Sequence, residues 1–198
     1  MLTDKQLDDA NAYGEWLRLA VHERSLPASN RVRAAASCLA IAQDHHHAIV
    51  VLLDARLYAS CFALVRVAFE AYVRGEWLAL CATEPQVRKF LKGREPPKID
   101  LLLSALERTD AFKEGRLSLI KKRTWKAMCG YTHTGGVHVQ RWNTSDGIEP
   151  NYSVAELLEV LRFADIISTL SVLGVLSLAN DAEVAEKLLG RFKARMEA

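Results

Sequence analysis

HHHAIVVLLDARLYASCFALVRVAFEAYVRGEWLALC, residues 45–81, decides how this chain folds. Two apolar runs are separated by the polar interruption Asp54-Ala55-Arg56. From about Arg31, a helix carries Cys38, Ile41, His45, Ile49 and Leu52 as a stripe at helical spacing. Leu57 to Ala82 is then a second long helix, apolar nearly all round, a pattern that marks a helix buried at the centre of a bundle. Through it run Arg66, Glu70 and Arg74, where leucine would fold more easily.

Outward from this hairpin the chain keeps to helices. Thr3 and Gln6 stand at capping-box spacing and open an N-terminal amphipathic helix over 3–24; SLPASN breaks it. TEPQVRKFLKGREPPK, 83–98, reads as an irregular basic connector that Pro96-Pro97 stops firmly. Shorter helices follow over Ile99–Glu107 and Leu117 to about Tyr131, the second ending in a glycine turn (Gly130, Gly135, Gly136) with positive φ. Ser153 and Glu156 form a second capping box for a helix to about Ala179, and a last amphipathic helix covers 181–196. The expectation is an all-α, up-down bundle of six or seven helices with two long antiparallel central ones. It forms a single domain, its core at about 31–180 and both terminal helices packed on it.

Composition agrees. Of 198 residues 50% are hydrophobic and 25% charged, ordinary for a chain that buries one sizeable core, with only 10 glycines and 5 prolines. The longest uncharged stretch, Ile166 to Asn180, includes Ser and Thr and falls short of the roughly 20 apolar residues of a bilayer span, so it reads as a buried helix. MLTDKQLDDA lacks the basic and apolar regions of a signal peptide, which leaves a cytoplasmic protein without a membrane as the expectation. Cys38, Cys61, Cys81 and Cys129 stand far apart, without zinc spacing, and read as small hydrophobes. A net charge of +2 conceals an asymmetry: residues 88–126 carry +7 and the remainder −5. Such a segment suits an anionic partner such as RNA, and equally a solvated face near helix ends.

Two constellations could carry chemistry. If the hairpin turns near residue 55 or 56, position 66 stands level with about 45 and position 70 with about 41. His45, Arg66 and Glu70 are then expected to meet inside the bundle, Arg74 lies a turn further on, and Asp165 is a fourth ionisable group in a core-like run. Such groups must satisfy one another, either as a network that fixes helix register or as a polar site whose members shift one another's pKa. The second constellation, WKAMCGYTHTGGVHVQRW, gathers Lys126, Tyr131, Thr132, His133, His138 and Arg141 at a helix end. An imidazole there is placed for proton transfer near neutral pH, or else simply bonds a carbonyl in a capping turn. His45, His46 and His47 diverge by about 100° each on a helix and cannot share one metal ion. One of them could join Glu70 and His133 across helices, although no E-x-x-H spacing supports it.

LYASCFALVRVAFEAYVRGEWL, with the later YTHTGGVHVQRW and EPNYS, resembles a bacterial all-helical family of unknown function over roughly residues 40 to 152. More distantly the arrangement is similar to the HEPN superfamily (higher eukaryote and prokaryote nucleotide-binding domains). That resemblance implies a helical, often homodimeric bundle acting as a metal-independent ribonuclease of toxin–antitoxin or phage-defence systems, with RNA and a cognate antitoxin as partners and no cofactor. The superfamily's hallmark is Arg, four to six residues, then His at a helix end. Here Lys126, with six residues between it and His133, stands in place of the arginine. His133 carries over as catalytic acid/base with Arg66, Glu70 and His45 beside it. Lys126, Tyr131, Thr132, His138 and Arg141 would contact substrate. The alternatives are a non-catalytic interaction or small-ligand module with a structural Arg–Glu–His network, and the cross-helix metal site.

Overall fold

The computed structural model describes residues 1–197, and among these the chain forms nine α-helices and no strand. They are α1 Asp4–Val21, α2 Asn30–Asp54, α3 Tyr58–Leu80, α4 Glu84–Leu91, α5 Ile99–Leu106, α6 Arg116–Thr132, α7 Gly136–Gln140, α8 Val154–Leu178 and α9 Ala182–Glu197. Both capping boxes form, Thr3 with Gln6 and Ser153 with Glu156. The count exceeds the expected six or seven because two stretches read as connector and turn are helical. In the first, Thr83 and Gln86 form a third capping box with Pro85 in the opening turn, and α4 runs on to Leu91. In the second, the glycine turn winds into the single turn of α7.

α2 and α3 form the central hairpin, turning at Ala55–Leu57, where Arg56 takes a φ of 58° and the Leu57 N–H donates to the Leu52 carbonyl at 2.8 Å. α8 packs against both, α1 and α9 pack on α8, and α5 and α6 pack on α3. Very small residues let the three central helices approach closely. A Cβ added at Gly75 of α3 would stand 2.7 Å from the Leu39 side chain, and one at Gly174 of α8 would stand 2.9 Å from it. Leu39, fully buried on α2, therefore fills the gap between two glycines.

The buried face of α2 runs through Ala35, Leu39, Ala42, His46, Ile49, Val50 and Leu53. It is displaced by about one residue from the expected stripe, and Ile41 is 49% exposed. Close packing selects alanines at the contact, and alanine weighs little in a hydrophobic count. The shift moves burial from His45 to His46. α8 is long and apolar enough to cross a membrane by length and composition, yet its buried residues are spent on neighbouring helices. Cys38 and Cys61 are buried, and burial pushes the Cys61 thiol up to about 12, consistent with a packing role.

In the glycine turn the positive φ falls on Thr134, at 53°, rather than on a glycine. Gly135 is instead required by close approach: its N–H donates to the Gly130 carbonyl at 2.7 Å, and a Cβ there would stand 3.0 Å from the Gly130 Cα.

Glu76 is the anomaly of the core. It is 8% exposed, packs beside Gly174, and has no hydrogen-bond or ion-pair partner among the described residues. Burial raises its carboxyl to about 7, so near neutrality the folded chain holds a proton there that the unfolded chain releases. Between the ordinary glutamate pKa and about 7 the folded state binds more protons, so stability falls as pH rises through that window and levels off above it. Glu76→Gln, which keeps the neutral shape, is expected to exceed wild type by about 3 kcal/mol at pH 8 and to match it at pH 4. Urea unfolding across that range measures the difference; a gap independent of pH would contradict it.

Candidate functional site

The long polar spacing on α3 becomes a clamp. Glu70 is bonded on both oxygens: Arg66 Nε donates to Oε1 at 2.8 Å and Arg74 Nη2 to Oε2 at 2.6 Å. All three stand one turn apart on one helix face, with the Glu70 side chain 12% exposed between two cations. Glu70 thereby has both oxygens committed, which makes it a positioning residue for its arginines.

Arg66 is fixed on three sides. Beyond Glu70, its guanidinium lies over the Trp125 ring of α6 at 4.6 Å, and its Nη1 lies 2.7 Å from His133 Nε2. A guanidinium only donates, so His133 Nε2 accepts and the ring proton sits on Nδ1. His133 is the exposed C-cap of α6, its own N–H donating to the Cys129 carbonyl at 3.0 Å. Lys121 also lies over Trp125, at 4.9 Å, and pairs with Asp100 at 2.8 Å.

A cleft of about 350 Å³ opens beside the clamp, lined by Arg66, Glu70, Arg74, Trp125 and the Glu95–Asp100 segment. The firm stop at Pro96-Pro97 supplies one of its walls. Along α6, Lys122, Arg123 and Lys126 are exposed and make no ion pair among the described residues, so their charge is presented to solvent.

The expected members divide into three places. Arg66, Glu70 and His133 come together. His45 does not join them: it is half-buried on α2, outside the cleft, and burial lowers its pKa. The one-residue shift of the buried face explains this. His46 is the buried histidine, and its Nε2 lies 2.7 Å from Asp165 Oδ1, while Arg195 Nε donates to Oδ2 at 3.0 Å. Asp165, flagged in the sequence, is thus matched by α2 and α9 and not by Arg66.

The remaining four serve the turn. Thr132 Oγ1 donates to the Met128 and Ala63 carbonyls, tying α6 to α3. His138, buried, donates Nδ1–H to the Tyr131 carbonyl at 2.9 Å, the capping role that the sequence offered to His133. Arg141 Nε donates to Glu156 Oε1 at 2.7 Å and joins the turn to the start of α8. Tyr131 packs edge-on against Phe62 at 4.8 Å, and burial raises its hydroxyl. None of the four lines the cleft. Lys126 lies two turns before His133 on the exposed side of α6. Trp125 escaped the sequence reading, although it lies inside the quoted WKAMCGYTH motif next to Lys126. The metal reading loses its ligands, since His45 is elsewhere and Glu70 is occupied, and no group of three His, Cys, Asp or Glu gathers among the described residues.

Fold and site together define an all-helical bundle with an arginine clamp on its central helix and an imidazole brought to it from a later one. A family model described as a family of unknown function (DUF6988) matches residues 39–196, and the chain belongs to that family. No curated protein and no solved structure matches it.

Removing Glu70 would leave two arginines facing each other. Glu70→Ala is expected to lower stability by about 2–3 kcal/mol, and Arg66→Ala added to it to cost less than the sum of the singles. Denaturant unfolding at low salt reads both; additive losses would mean that the pair is not coupled.

Proposed function

We propose that the Arg66–His133 pair is a phosphate site and that the protein binds and cleaves RNA without a metal ion, as the distant HEPN likeness suggests. One observation carries the reading: Arg66 Nη1 lies 2.7 Å from His133 Nε2 while Glu70 and Trp125 hold the guanidinium. The motif has lysine where that superfamily has arginine, and α3 supplies an arginine to the same histidine from 67 residues earlier in the chain. The exposed cations of α6, without an ion pair among the described residues, favour a polyanion that runs past the pair.

In this reading a phosphodiester oxygen takes the guanidinium donor that His133 now accepts. The freed Nε2 removes the proton from the ribose 2′-hydroxyl, whose oxygen attacks the adjacent phosphorus. The bond to the 5′-oxygen breaks and that oxygen takes a proton from water, whose hydroxide takes back the proton held on Nε2, leaving a 2′,3′-cyclic phosphate and a 5′-hydroxyl. Arg66 stabilises the charge that builds on the phosphoryl oxygens, in a fork that lysine cannot reproduce. Glu70 acts through Arg66 by holding its orientation.

The test is incubation of purified protein with several RNA classes in EDTA. Cleavage to cyclic-phosphate ends is expected, falling about 100-fold or more in His133→Ala and at least about tenfold in Arg66→Lys. Binding should weaken with salt, and Lys126→Ala should reduce the slope of log K against log salt by about 0.7. RNA bound but uncut would favour the non-catalytic module, and full activity in His133→Ala would overturn the assignment.

A further inference from the structure

A cavity of about 470 Å³ lies away from the clamp, between α1, α2 and α8. That volume falls within the range of small-molecule sites and far exceeds the room of one water. Leu17, Val21, Leu26, Ala40 and Val175 make its walls largely apolar. Of the polar side chains that line it, His46 and Ser168 are buried, only 2% and 1% exposed, while Asn11, Gln43 and His47 lie with the charged groups nearer the rim.

Neither buried side chain is satisfied on that side. His46 Nε2–H donates to Asp165, whose other oxygen is matched by Arg195, and the ring's Nδ1 has no partner among the described residues; as the Nε2–H tautomer the ring offers Nδ1 as an acceptor. Thr169 and Ser171 return their hydroxyls to the helix carbonyls of Asp165 and Ile167, but Ser168 does not. The His46 and Ser168 side chains both line the cavity, so the polar group of a guest can reach them. Gly14 on α1 keeps the imidazole uncovered, since a Cβ there would stand 3.2 Å from Cε1 and 3.5 Å from Nδ1.

We propose that this cavity binds a small, uncharged, largely apolar molecule bearing one hydroxyl or ring N–H. That group donates to His46 Nδ1, a hydroxyl oxygen also accepts from Ser168, and the apolar body fills the space between α1 and α2. At the rim Arg18 is already spent on Glu15 at 2.8 Å, while Asp44 adds a further carboxylate, so an anionic guest is disfavoured. The Ser, His and Asp types suggest a nucleophile, but Ser168 does not bond His46, and mid-helix N–H groups are consumed by the helix and leave no oxyanion donor. The site recognises and does not cleave.

The test uses the full chain with phenol, toluene and benzoate as probes, followed by amide chemical shifts and thermal unfolding. Phenol is expected to give saturable shifts in α1, α2 and α8 and to bind about fivefold tighter than toluene, with benzoate not binding there. Ser168→Ala should reduce phenol to the level of toluene while the protein still melts cooperatively. Ala36→Leu, which fills the cavity, should abolish both. Absence of saturable shifts in the wild-type protein, equal affinity for phenol and toluene, or phenol binding unaffected by Ser168→Ala would each overturn the proposal. These readouts do not involve RNA and stand or fall apart from the clamp.

Discussion

A carboxylate inside a helical bundle must be matched or must keep its proton, and this chain meets that requirement in three ways. Glu70 is gripped by two arginines of its own helix. Asp165 is shared between a histidine of α2 and an arginine of α9. Glu76 has no partner among the described residues and keeps a proton up to about pH 7. Each solution has a structural result: the first orients Arg66, the second draws three helices together, and the third leaves the core sensitive to pH.

The difference between Glu70 and Asp165 explains why one is local and the other holds the architecture. Arg66 and Arg74 lie four residues either side of Glu70, so the clamp forms with the helix and costs little chain ordering. Asp165 reaches partners 119 and 30 residues away, so its bonds form only when α2, α8 and α9 are in place. Tyr13 extends that network to α1, its hydroxyl 2.7 Å from Thr169, which in turn donates to the Asp165 carbonyl. The locally assembled clamp is the one that reaches solvent and His133, and the long-range network is the more deeply buried one.

Much of the fold was legible because its signals are local. Thr3 with Gln6 and Ser153 with Glu156 mark helix starts through side-chain to backbone bonds that need no tertiary partner, and Asp54-Ala55-Arg56 marks the turn of the hairpin. Thr83 and Gln86 carried the same signal, hidden among basic residues and prolines. The site was half legible. The four-residue spacing of Arg66 and Glu70 predicts their bond, and the THTGG turn singles out His133. What spacing could not supply was the register between helices. A shift of one residue on an alanine-lined face exchanged His45 for His46. Glu76, six residues beyond Glu70 in the same buried helix, carries the same signal of a charge set in an apolar run.

Leu39 wedged between Gly75 and Gly174 has an evolutionary consequence. Neither glycine can acquire a methyl group without displacing a neighbour: Leu39 stands against both, and the Glu76 carboxyl stands closer still to Gly174. Drift at these positions must therefore proceed in compensating steps, a smaller side chain on α2 preceding a larger one at Gly75, and a change at Glu76 as well preceding one at Gly174. Across a family alignment they should vary as a linked set, whereas solvent-facing positions on the same helices change independently.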